Sequence, residues 1–131
     1  MKYLGVDFGL KRVGLAISEG ELASPLEVVA GKNLDQIVEQ VAKIVKGEKV
    51  ERIIIGQPES GPVVKAVNEF SKKLHQVAGV EIKIVDETLS TQNASQLMRE
   101  LGLKKKSRQK NDAAAAALIL QNYLDESKLD N

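Results

Sequence analysis

The sequence predicts an α/β fold: a mixed five-stranded sheet, three antiparallel strands followed by parallel strands, with helices on both faces. Three observations predict it. Apolar runs of strand length fill the first quarter of the chain, at residues 3–6, 13–18 and 23–31, with only short connections between them. From residue 33 onward, stretches with apolar residues three and four apart alternate with further strand-like runs. Near the end, five successive alanines at 113–117 favour helix and give it a thin face that can pack close to a sheet.

The elements follow in order. Residues 3–18, YLGVDFGLKRVGLAIS, read as a hairpin of two strands, 3–6 and 13–18, with Asp7 at the C-terminal end of the first. Glycines at 5, 9 and 14 let another backbone or a phosphate come close. The third strand, 23–31, is opened by Pro25 and closed by Gly31. Asn33 caps a helix running to about residue 46, with Leu34, Ile37, Val38, Val41, Ile44 and Val45 as its apolar stripe. Residues 52–55, RIII, form a buried strand, parallel to the first if the helix crosses over, followed by a loop rich in Gly and Pro. A second helix carries Val63, Val67, Phe70, Leu74 and Val77. Residues 80–85, VEIKIV, alternate apolar and polar, as an edge strand does, and run into Asp86-Glu87-Thr88. Ser90 or Thr91 caps a third helix that Gly102 ends. Residues 103–110, LKKKSRQK, are a basic connection, and Asn111 or Asp112 opens a final helix reaching about residue 124. The polar tail beyond it is expected to fray.

Composition narrows the function. At 131 residues the chain fits one domain, 1–131, with a real core. Without cysteine it has neither disulfides nor a thiolate metal site, and its one histidine, His75, falls on a surface helix face beside lysines. No secretory leader and no apolar run near the ~20 residues of a membrane span are expected, so the cytoplasm is the default compartment. The net charge is only +1, so any nucleic-acid surface must come from the placement of charge.

Three acidic positions stand out. Asp7 ends the first strand, Asp86-Glu87 end the last, and Asp112 begins the last helix. Acids from neighbouring strand ends and from a helix packed on the sheet can converge at one sheet edge. Carboxylates holding one or two Mg²⁺ or Mn²⁺ ions suit phosphodiester hydrolysis. Each acid could equally cap its own turn or helix, and spacing along the chain does not decide between the two. The basic group Arg99, Lys104, Lys105, Lys106, Arg108 and Lys110 falls within twelve residues, and Lys11 and Arg12 add to it. Such cations suit a nucleic-acid backbone, or simply a solvated loop. With two Phe, two Tyr and no Trp, recognition by shape and backbone is expected over base stacking.

The segments VDFGLKRVGLAIS, IIIGQP, VDETLST and KNDAAAAALIL, in this order and spacing, resemble the YqgF (RuvX) family over nearly the whole chain. The resemblance implies an RNase H-like fold and a nuclease, described in the family both as a Holliday junction resolvase and as a pre-16S rRNA nuclease. It implies Asp7, Glu87 and Asp112 as the catalytic, metal-holding acids, with Asp86 beside Glu87 in the same motif. If Ile82 and Ile84 share a face, Asp86 follows them and Glu87 points opposite, unless the strand has ended. The sequence departs from the family in three places, of which the second and third bear on substrate choice and affinity. Gln57 stands where the family has Leu, the loop after Pro58 is short, and Thr88 stands where Arg is usual.

The expected function is processing of the 5′ end of pre-16S rRNA by a metal-dependent nuclease, as monomer or homodimer, on structured RNA. The alternatives are a Holliday junction resolvase on branched DNA, a two-fold dimer by need, and a nucleic-acid-binding module with weak or lost catalysis. An ATP-dependent kinase of related fold would need a second lobe to enclose the nucleotide, which this length does not supply.

Overall fold

Alternation of side chains across each strand divides the apolar residues of this chain between two cores, and that division places the candidate site residues that lie on described strands. The computed structural model of the chain describes residues 1–57, 61–86 and 108–129, with side chains of the last stretch from 112 to 127. Five strands form one sheet: β1 (Tyr3–Phe8), β2 (Arg12–Ser18), β3 (Ala23–Ala30), β4 (Arg52–Gln57) and β5 (Glu81–Asp86). Their spatial order is β3-β2-β1-β4-β5. β1, β2 and β3 pair antiparallel, and β4 and β5 join the other side of β1 in parallel. The mixed sheet expected from the sequence is therefore the one observed. β1 is central and β5 is an edge. Pro25 lies on the opposite edge strand next to a register shift, where a missing N–H costs least.

Two helices, α1 (Leu34–Gly47) and α2 (Pro62–Ala78), cover one face. Leu4, Val6 and Phe8 of β1, Val13 and Leu15 of β2, and Ile53 and Ile55 of β4 point into them. Asn33 caps α1 as expected, accepting a hydrogen bond from the Gln36 backbone N–H at 2.9 Å. The stripe of α2 runs through Val67, Phe70 and Leu74 and continues at Ala78. Val77, expected in that stripe, is 48% exposed, because Ala78 takes the place one turn beyond Leu74.

The other face carries α3 (Arg108–Leu129). Ala16, Ile54, Ala116, Ile119, Leu120, Tyr123 and Leu124 make its core. Gly5 shows why the alanine run matters: a Cβ there would stand 2.7 Å from Leu120 Cβ and 2.8 Å from the Ala116 carbonyl oxygen. The helix rests directly on the strand, closer than any larger pair of residues permits.

Both ends of α3 depart from expectation. The helix opens at Arg108, so Asp112 lies beyond its first turn, and Arg108 and Lys110 are helical instead of belonging to a basic connection. At the other end the helix continues to Leu129 where a fraying tail was expected. Long-range bonds hold this end. The Gln121 amide donates to the Glu21 carbonyl at 2.9 Å while its oxygen accepts from the Ala23 N–H at 2.9 Å. The Tyr123 hydroxyl accepts from Arg52 at 2.8 Å, and Arg52 also pairs with Glu81 at 3.0 Å. The expected third helix, with its caps at Ser90 or Thr91 and Gly102, lies outside the described residues.

Candidate active site

Asp7 stands near the C-terminal end of the central strand, half-buried. Its register partners are Gly14 on β2 and Gly56 on β4, so both neighbouring strands put glycine beside it. Asp7 alternates with Val6 and Phe8, which face α1 and α2, and therefore shares its face with Gly5 and with α3. The C-terminal ends of the parallel strands β1, β4 and β5 meet at this edge, the usual ligand-binding end of an open α/β sheet.

α3 brings Asp112 to the same place. A Cβ added to Gly14 would overlap the Asp112 carbonyl group and come within 2.9 Å of the Ala113 amide nitrogen. The backbone of Asp112 thus lies directly on Gly14, the residue opposite Asp7. The glycines at 5 and 14 admit a backbone, that of α3, and Gly9 admits another, because a Cβ there would meet the Arg12 carbonyl oxygen at 2.7 Å. Position within the helix also matters. N-terminal capping does not account for an acid that follows the first turn.

Arg12 opens β2 and shares the Gly14 face by alternation. Its Nε lies 3.4 Å from Oδ2 of Asp112. The sequence suggested Arg12 for phosphate binding, and no spacing rule signals this pairing, since one hundred positions separate the two residues. Lys11 is exposed in the β1–β2 turn, which the Gly9 N–H closes by donating to the Arg12 carbonyl at 2.9 Å.

Asp86 is placed differently. Ile82 and Ile84 pack with the α1–α2 core and Val85 with the α3 core, so Asp86, the last residue of β5, falls on the face away from α3. It pairs in register with Gln57, which shares that face. Alternation thus separates Asp86 from Asp7 and Asp112. Glu87, Arg99, Lys104, Lys105 and Lys106 lie outside the described residues, as do Thr88 and the loop after Pro58, and α3 includes Arg108 and Lys110 as backbone only. Among the described residues, no group of three or more His, Asp or Glu is placed to hold a metal ion. Two acids of the expected three, Asp7 and Asp112, are described and share one face. His75 is exposed on α2, as expected, with Nδ1 3.1 Å from the Val80 carbonyl oxygen.

The central β1 between an antiparallel and a parallel neighbour, with α3 laid over its end, is the arrangement of an RNase H-like domain. The structure of Thermus thermophilus RuvC in complex with Holliday junction substrate matches it with a TM-score of 0.63 at 20% identity, covering 91% of this chain and 92% of that one. Within that class the chain belongs to the RuvX family, described as Holliday junction resolvase, whose model matches residues 1–126. A relative from Maridesulfovibrio salexigens is 37% identical over 132 residues, covering 95% of this chain and 98% of its own length. Another, from Chloroflexus aggregans, is 35% identical over 130 residues, covering 93% and 92%. Both carry the name "Putative pre-16S rRNA nuclease". No helix among the described residues is long and apolar enough to cross a membrane.

Proposed function

We propose that this chain hydrolyses phosphodiester bonds in structured nucleic acid with the help of a divalent metal, and that its substrate is the 5′ end of the 16S rRNA precursor. The observation that carries the chemistry is the juxtaposition of Asp7 and Asp112 on one face, at the carboxyl end of the central strand. The substrate follows from the names of relatives that align along nearly their whole length.

Two hard carboxylate ligands on a half-exposed edge fit Mg²⁺ or Mn²⁺, and their mutual repulsion favours a cation between them. Asp7 and Asp112 would hold it, with Glu87 as the third ligand. When bound, the metal supplies Lewis-acid polarisation of the phosphoryl group and offsets charge in the hydrolytic transition state. The chain's own residues orient and bind. Gly14 and Gly56, the register partners of Asp7, place no side chain beside its carboxylate. Lys11, Arg12, Lys104, Lys105, Lys106, Arg108 and Lys110 would hold phosphates of the nucleic acid, positioning it without reading its sequence.

Incubation of the protein with Mg²⁺ or Mn²⁺ and a panel of nucleic acids tests the reading. The panel holds a 16S rRNA precursor leader, single-stranded RNA, a four-way DNA junction and duplex DNA. Metal-dependent cleavage of the leader is expected, and chelation by EDTA is expected to stop it. Symmetric cleavage of the junction alone would replace precursor processing with junction resolution. Binding without any cleavage would make the chain a nucleic-acid-binding module.

The basic segment has its own test. Changing Lys105, Lys106 and Arg108 together to Ala should weaken binding to a similar degree across nucleic-acid sequences. The slope of log affinity against log salt should fall by roughly 0.7–0.9 for each phosphate that is no longer neutralised. A triple variant with the wild-type slope would make the segment a solvated loop.

A further inference from the structure

The Arg12–Asp112 pair puts a cation on a carboxylate already assigned to a metal. Arg12 reaches Asp112 from β2, across the strand position that faces Asp7. Both side chains are about one-third exposed, at 37% and 32%, so solvent and ligands can reach them. The Arg12 backbone is fixed by the turn bond from Gly9, and only its side chain is left to move. A single guanidinium and a divalent cation would compete for the Asp112 carboxylate. The divalent ion has twice the charge and would bridge two or more acids, so it wins once it is present.

We propose that Arg12 is an exchangeable counter-ion. It neutralises Asp112 while the carboxylates carry no metal, yields Asp112 to the metal, and then turns its guanidinium to a phosphate of the nucleic acid. This inference rests on the reading of Asp112 as a metal ligand. Its consequence is a coupling between two binding events. Metal binding frees Arg12 for phosphate, and engagement of Arg12 by phosphate frees Asp112 for metal, by the same factor in both directions. Arginine suits the second role because its planar fork meets phosphate with paired hydrogen bonds, which the point charge of lysine does not supply.

The site would thereby avoid two costly states: bare adjacent carboxylates when empty, and an unneutralised phosphate when loaded. An enzyme built this way holds nucleic acid more tightly when the metal is in place. Arg12 would act as a positioning residue through Asp112 before loading and as a substrate contact after it.

The test is a cycle of Mn²⁺ affinities, measured without nucleic acid by calorimetry or by the spin resonance of free Mn²⁺. Arg12→Gln removes this competitor and should tighten Mn²⁺ by about threefold, the scale of a solvent-accessible ion pair. Asp112→Asn should weaken Mn²⁺. In the Asp112→Asn background, Arg12→Gln should have no effect. A labelled RNA hairpin titrated with and without Ca²⁺ reads the second half. Wild type should bind more tightly with Ca²⁺, and Arg12→Gln should lose most of that gain. Arg12→Lys keeps the charge and should hold wild-type Mn²⁺ affinity while losing part of the Ca²⁺-linked gain. If Asp112→Asn weakens Mn²⁺ but Arg12→Gln does not tighten it, the exchange is wrong and the metal site stands. Equal tightening by Arg12→Gln in both backgrounds would also overturn the exchange, because it reports only the long-range field of one charge. If Asp7→Asn and Asp112→Asn both leave Mn²⁺ binding unchanged, the site reading fails and the exchange with it.

Discussion

Asp7→Asn is expected to abolish metal-dependent cleavage, lowering kcat on the order of 10³-fold, because electrostatic stabilisation through a metal is worth several kcal/mol. The substitution keeps the size of the side chain and its capacity for hydrogen bonding but removes one charge. The fold should not suffer. Asp7 is half-buried near the end of β1, with glycine as its partner on both sides, and the apolar residues that hold β1, namely Leu4, Val6 and Phe8, point to the opposite face. Binding of nucleic acid in EDTA should also survive, since the phosphate contacts proposed above come from lysines and arginines and not from Asp7. The measurement is single-turnover cleavage beside binding anisotropy and a thermal melt. A variant that melts like wild type, binds like wild type and does not cut assigns Asp7 to the chemistry. A variant that cuts as fast as wild type would remove Asp7 from the site and point to a contaminating nuclease.

Much of the fold was legible because the sequence repeats the same physical statement at each level. The apolar runs at 3–6 and 52–55 read as buried strands, and Ile37, Val38, Val41 and Val45 carry the period of helix, while Phe8, beyond the first run, joins β1 because its side chain packs in the core. The alanine run announced close packing, and the structure adds its counterpart, Gly5 and Gly14 on the strands beneath. What was not legible depends on contacts between distant residues. Nothing local says that a helix beginning in a basic run at Arg108 carries Asp112 beyond its first turn. The persistence of α3 past residue 124 rests on Gln121 meeting Glu21 and Ala23, and Tyr123 meeting Arg52, contacts that no window of sequence contains. The pairing of Arg12 with Asp112 is of the same kind. The separation of Asp86 from the Asp7 face was legible conditionally: alternation decides it once Ile82 and Ile84 are known to share a core and Val85 to face the other.

Gly14→Ala should lower stability and uncouple Asp112 from Asp7 in the protein that still folds. The added methyl group meets backbone, the Asp112 carbonyl group and the Ala113 nitrogen, so no side-chain rotation relieves the overlap. Overpacking of a core costs about 1–3 kcal/mol, and the rigid neighbours here put the loss at the upper end. For a chain of this size that corresponds to a fall in Tm of roughly 10 °C. The strain is relieved only if the N-terminal half of α3 lifts from the sheet, carrying Asp112 with it. Gly5→Ala is the comparison. Its Cβ would press on Leu120 and Ala116, further along the same helix and away from the carboxylates. Both variants should melt earlier than wild type, but they should differ at low temperature, where both remain folded. Gly14→Ala should there bind Mn²⁺ more weakly, and a further Asp112→Asn should cost it little, since the carboxylate has already been displaced. Gly5→Ala should keep wild-type Mn²⁺ affinity and lose it on Asp112→Asn. Thermal melts and Mn²⁺ titrations of the four variants decide the matter. A Gly14→Ala protein with the melting temperature and Mn²⁺ affinity of wild type would mean that α3 does not rest on Gly14 in solution, and that some other contact delivers Asp112 to the site.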